Sequence, residues 1–147
     1  MPDAGDWAPA DRAFFARIEI HRAAIERAYS DDGFSVRRAA AQACDFVRDC
    51  MIYRQAQDYA AARRLYPART RTSLALQATA AAILVQTLPP LMLRFASTLA
   101  RGIDGLSTET WPTSVRRLAP GTIFDLGPVL GFYDRSDNSV LNHQKSI

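Results

Sequence analysis

Residues 72–93 read Thr72-Ser73-Leu74-Ala75-Leu76-Gln77-Ala78-Thr79-Ala80-Ala81-Ala82-Ile83-Leu84-Val85-Gln86-Thr87-Leu88-Pro89-Pro90-Leu91-Met92-Leu93, and none carries a charge, although Arg71 and Arg94 bound them. Such a run is either the centre of a buried core or a membrane segment. A spanning helix needs about 20 mostly apolar residues. Here Pro89-Pro90 cuts the run, because proline lacks the N–H donor and clashes with the preceding turn. The remainder, from Ser73 to Thr87, makes a helix of about 22 Å at 1.5 Å per residue, short of a ~30 Å hydrocarbon layer. Gln77, Gln86, Thr72, Thr79 and Thr87 bring polar groups that lipid cannot satisfy. The run is therefore read as a helix buried among other helices.

Working outward, the flanks supply those other helices. Upstream, a helix is expected from Pro9 or Asp11 to about Ser30, with Asp11 as N-cap or first-turn acid. Phe14, Ile18, Ile25 and Tyr29 recur on one face. Asp31-Asp32-Gly33 ends it, with Gly33 suited to a left-handed C′ position. Ser35 caps a second helix. Its apolar side is read as Val36, Ala40, Ala43, Val47, Cys50 and Met51, with Phe46 close by, and Arg37, Arg38, Arg48 and Arg54 lie largely on the other side. This helix either continues to Tyr66, where Pro67 ends it, or breaks between Gln55 and Asp58. Downstream, Pro90 opens a further helix that carries Leu91, Phe95, Thr98 and Leu99 to Gly102.

After Gly105 the character changes. Pro112 to Leu118 suggests a short helix. Ile123-Phe124-Asp125-Leu126 and Val129-Leu130-Gly131-Phe132-Tyr133 are apolar bursts between Gly and Pro, suited to extended strands or to an arm that packs on the bundle or a neighbouring subunit. Asp134 to Ile147 is polar and reads as a tail. The expected architecture is mainly α: an antiparallel bundle of four to five helices over residues 1–105, then an irregular or partly extended C-terminal segment over 106–147. Its core should draw on Phe14, Ile18, Ile25, Val36, Phe46, Val47, Leu76, Ile83, Leu84, Leu91 and Phe95. Trp111 and the late apolar bursts are costly to leave in water, so a homo-oligomer, most simply a dimer, is expected.

Composition narrows the class. The chain has 147 residues, enough for one domain with a real core. Eighteen basic residues against fifteen acidic give a net charge of +3, and Lys145 is the only lysine. That balance is compatible with polyanion binding without requiring it. Cys44 and Cys50, six positions apart on one helix, lie roughly 120° apart around its axis and should stay free thiols, which fits a reducing compartment. Residues 1–6 lack a basic stretch followed by an apolar one, so no secretory signal is expected and the cytoplasm is the expected location.

Catalytic constellations are sparse. His143 falls in the polar tail, and His21 falls on the apolar side of the first helix, where a histidine bonded to a neighbour is the simplest reading. Asp45 and Asp49 share a helix face, but no Glu-x-x-His or second acidic pair accompanies them. No phosphate loop, nucleophile elbow or zinc spacing is present. No cofactor or metal is expected, and enzymatic activity is less expected than binding. A ligand pocket near His21 and Arg94, between the first, third and fourth helices, ranks last among the readings.

The strongest partner signal is basic. Arg54, Arg63, Arg64, Arg69 and Arg71 cluster with Tyr53, Tyr59 and Tyr66 interleaved, opposed only by Asp58. Arginine forks match phosphate oxygens and tyrosines stack on bases, although a solvated helix face gives the same pattern. The leading expectation is a small non-enzymatic bacterial regulatory or adaptor protein that binds a macromolecular partner. The alternative is a nucleic-acid-binding regulator using Arg54 to Arg71. The stretch from Ala23 to Ala40, with its Gly33-Phe34 turn, also resembles the opening of TetR-type regulators. Ile52-Tyr53 then falls near that family's Leu-Tyr in the recognition helix, if two residues are inserted around Asp45-Phe46. That resemblance implies a DNA-binding helix-turn-helix that follows the Gly33-Phe34 turn.

Overall fold

The computed structural model describes residues 5, 7–30, 33–57, 64–125 and 127. Among them run four helices: α1 (Pro9–Tyr29), α2 (Val36–Gln55), α3 (Pro67–Thr87) and α4 (Pro89–Arg101). α1 and α2 form an antiparallel pair. Phe14, early in α1, stacks on Tyr53, late in α2, with ring centroids 3.9 Å apart. At the other end the Ser35 N–H donates to the Ala28 carbonyl at 2.9 Å. α3 packs against α1, α2 and α4. It is buried on most of its circumference, so the uncharged run up to Thr87 is the centre of the core, whereas Pro90, Met92 and Leu93 beyond it are exposed. Its polar groups are absorbed internally: Thr79 and Thr87 donate to the carbonyls of Ala75 and Ile83, at 2.8 and 2.9 Å. No described helix is long and apolar enough to cross a membrane.

Helix ends follow local chemistry, with some departures from expectation. Pro9 occupies the first position of α1 and Ala8 precedes it as N-cap. Alanine offers no side-chain acceptor, so the acid in the first turn, Asp11, closes the end by accepting the Ala8 N–H at 2.7 Å. Gly33 does not take the left-handed conformation expected of it. α1 ends on an extended Ser30, and among the described residues the glycines with positive φ are Gly105 and Gly121. Ser35 caps α2 as expected, its hydroxyl accepting from the Arg38 N–H at 3.2 Å. α2 ends at Gln55, within the break region, and residues 58–63 lie outside the described part. Pro67 opens α3 instead of closing α2, because a first-turn proline gives up a donor that had no partner anyway. α3 therefore starts six residues before Ser73 and takes Arg69 and Arg71 into its first turns. α4 follows directly from Leu88 and kinks at Met92 (φ −143°, ψ 58°).

The core holds Phe14, Ile18, Ile25, Phe46, Leu76 and Ile83 as expected. Leu84, Leu91 and Phe95 are half-buried. Val36, Val47 and Met51 are exposed, contrary to the expected packing. α2 turns a neighbouring row inward instead: Ala39, Ala43, Phe46, Cys50 and Tyr53. That row carries both aromatic rings of the helix, and aromatic rings dominate burial energetics.

The C-terminal segment adds a smaller core. Val85, Ala100 and Ile103 cluster with Leu99, Leu106, Leu118 and Phe124. Ile103 and Phe124 form an antiparallel bridge, and the Asp125 N–H donates to the Gly102 carbonyl at 2.7 Å. A Cβ at Gly102 would run into the Asp125 carbonyl oxygen, so this approach requires glycine. The helix expected from Pro112 to Leu118 does not form. That stretch is irregular, and its backbone is bonded by α1 instead. The second apolar burst and the polar tail lie outside the described residues.

Candidate functional site

Among the described residues α2 has two apolar rows, and one of them faces water. Val36, Ala40, Cys44, Val47 and Met51 follow one another at helical spacing, about 100° around the axis from the buried row. Val36, Cys44, Val47 and Met51 are exposed and Ala40 is half-buried. Val36 is 51% and Met51 54% exposed. Single exposed apolar residues need no explanation, but a periodic row does. Phe34, immediately before the cap, is exposed too and extends the row at the start of the helix.

The charges on α2 are segregated around this row. Helical geometry puts Arg37 and Arg48 along one border and Arg54 along the other, whereas Asp45 and Asp49 fall about 140–180° from the row's centre. Both acids are engaged by side chains of the chain itself. Asp45 accepts from Arg48 at 2.8 Å. Asp49 meets His21 Nε2 at 2.9 Å and Arg17 at 3.8 Å. The outward face is thus apolar with a cationic border.

The expected arginine cluster divides. Arg54 is exposed on the last turn of α2, Arg64 just before α3, and Arg69 and Arg71 in its first turns. None of these four has an ion-pair partner among the described residues. Arg63 lies outside them. Tyr66 is exposed next to the cluster, but Tyr53 is a core residue whose hydroxyl donates to Asp11. α3 has no acid in its first turn and no side-chain cap, so Arg69 and Arg71 sit at the positive end of a helix dipole, the less favourable end for a cation. A cleft of about 420 Å³ opens beside them, lined by Trp7, Ala8, Leu65, Tyr66, Pro67, Ala68 and Arg69.

α2 is one uninterrupted helix from Val36 to Gln55, with no turn near Cys44. The helix-turn-helix implied by the TetR-type resemblance is therefore absent from residues 35–54, and the tyrosine matched to that family's recognition helix is buried.

His21 and Arg94, expected to share a pocket between the first, third and fourth helices, have different surroundings among the described residues. His21 turns to α2, where its ring lies on Phe46 with centroids 5.0 Å apart and Nε2 bonds Asp49. Its Nδ1 is buried with no hydrogen-bond partner among the described residues. Arg94 is exposed on α4. Among the described residues no group of three or more His, Cys, Asp or Glu could hold a metal ion.

Arg22 is a polar centre that the sequence did not reveal. It is buried on α1 yet bonds Glu19 at 2.7 Å, Glu26 at 2.9 Å and the Pro112 carbonyl at 3.0 Å. Glu19 in turn accepts the Val115 N–H at 2.9 Å. The hydrogen bond from Arg22 is the main reason the Glu19 carboxyl is held below its usual range. These bonds fasten the irregular segment to α1. Compared with protein-family models and with curated proteins, the sequence finds no match in either.

Proposed function

We propose that the protein is a small non-enzymatic regulatory or adaptor module that works by binding a macromolecular partner through the outward face of α2. The observation that carries this reading is the exposed row Val36, Cys44, Val47 and Met51, on a helix whose other apolar row already fills the core. Helix-on-helix docking uses anchors at this spacing. A photo-crosslinking side chain at Met51, compared with one at the exposed Arg12 on α1, tests it in the native host. A discrete crosslinked macromolecule from position 51 alone supports the reading. Equal or absent crosslinking at both positions overturns it.

A second reading rests on a different observation. Arg54, Arg64, Arg69 and Arg71 are exposed without acidic partners among the described residues, and two of them crowd the start of α3. Phosphate oxygens would relieve that repulsion, which favours nucleic acid as the partner of this end of the bundle.

A further inference from the structure

We propose that the α2 face receives an acidic amphipathic helix of a partner protein. This inference rests on the docking reading above and names the class of partner. Three features of the face select it. First, the row from Val36 to Met51 spans about 22 Å at 1.5 Å per residue, the length over which a partner helix presents three or four anchors. Second, the small Ala40 and Cys44 lie between the larger Val36 and Val47–Met51, so a crossing helix can approach closely at the centre and pack against bulk at both ends. Met51 adapts its shape to such a partner. Third, the borders carry Arg37, Arg48 and Arg54, while Asp45 and Asp49 lie across the helix and are already engaged. Of the border arginines, Arg37 and Arg54 have no ion pair among the described residues. Carboxylates beside an apolar seam complement this arrangement.

The same charges disfavour the competing occupants. A second copy, packed face to face about a twofold axis, would bring this arginine border against its own image. A nucleic acid would contact the arginines and leave the valines and methionine without apolar contacts.

The test uses the full chain and two fluorescein-labelled synthetic helices with leucine at i, i+4, i+7 and i+11. One is flanked by glutamate and the other by lysine at the same positions. Fluorescence anisotropy at low salt should show the glutamate helix binding at least about tenfold more tightly than the lysine helix, with the difference shrinking as salt screens it. Val47→Asp with Met51→Asp should abolish binding while the circular dichroism and melting midpoint hold. Arg37→Glu with Arg54→Glu should remove the preference for glutamate. Equal binding of the two helices, or binding that survives Val47→Asp with Met51→Asp, overturns the inference. So does a wild-type dimer that these aspartates dissociate, or glutamate-helix binding that appears only after residues 128–147 are removed. If position 51 crosslinks a macromolecule in the host but the glutamate helix does not bind, the docking reading stands and this inference falls.

Discussion

The Tyr53 hydroxyl donates to one oxygen of the Asp11 carboxylate at 2.6 Å, while the other oxygen accepts the Ala8 N–H at 2.7 Å. Asp11 is fully buried. One carboxylate therefore closes the start of α1 and ties it to the end of α2, where Tyr53 also stacks on Phe14. Tyr53→Phe keeps the ring and removes the bond, leaving a buried carboxylate oxygen short of a donor. We expect a loss of about 1–3 kcal/mol in urea unfolding. Asp11→Ala should cost at least as much, because the cap goes with it. In a double-mutant cycle the two changes should couple, and strict additivity would show that the contact contributes nothing.

The Glu19–Arg22 pair should make stability pH-dependent in a defined sense. Glu19 has its folded pKa lowered, first by the hydrogen bond from Arg22 and then by the Val115 N–H, against the opposing effect of burial. A lowered carboxyl contributes stability above its unfolded value and loses it as pH falls through the folded one. The stability gap between wild type and Glu19→Gln should therefore be full at neutral pH and close under acid conditions. In Arg22→Met the Val115 amide should exchange with solvent faster, and residues 111–118 should become the first site of proteolytic cleavage.

The two thiols should behave differently. Cys44 is exposed, whereas Cys50 packs against the core. Burial first, and the neighbouring Asp49 second, push the Cys50 thiol up to about 12. A thiol-specific reagent at mildly alkaline pH should modify one cysteine quickly. The second should react only on unfolding, since the thiolate is the reactive form. Cys44→Ser should remove the fast phase, and two fast phases would contradict the packing of α2.

If the arginine end of the bundle meets phosphate, the salt dependence should count the contacts. Four arginines facing a duplex give a log–log slope of about −3.6 at 0.9 per phosphate. Arg64→Ala, Arg69→Ala and Arg71→Ala together should reduce it to about −0.9. A slope near zero for wild type removes nucleic acid from consideration.

Much of the fold was legible because a few residues leave little choice. An uncharged run cut by Pro89-Pro90 can hardly be anything but a core helix in a chain this polar elsewhere, and the expected face of α1 buries Phe14, Ile18, Ile25 and Ala28. α2 departs from its expected packing for a physical reason. Its buried and exposed rows both recur at helical spacing and are both apolar, and the expected row drew Ala43 and Cys50 from one and Val36, Val47 and Met51 from the other. Periodicity alone cannot tell which row a neighbour covers. Pro67 is ambiguous in the sequence because proline terminates and initiates helices equally well. The Arg22 anchor was invisible because its acceptor, Pro112, is 90 positions away, and an arginine between two glutamates on a helix reads as solvated.

Docking on α2 requires its outward row to be an open surface of the folded chain. The most direct measurement is the melting midpoint of Val47→Asp with Met51→Asp, taken beside wild type across a wide range of protein concentration. An open docking face predicts two midpoints within about 2 °C of one another and independent of concentration. A midpoint that drops by many degrees in the variant, or a wild-type midpoint that climbs with concentration, would mean that the chain itself or a second copy already covers the face.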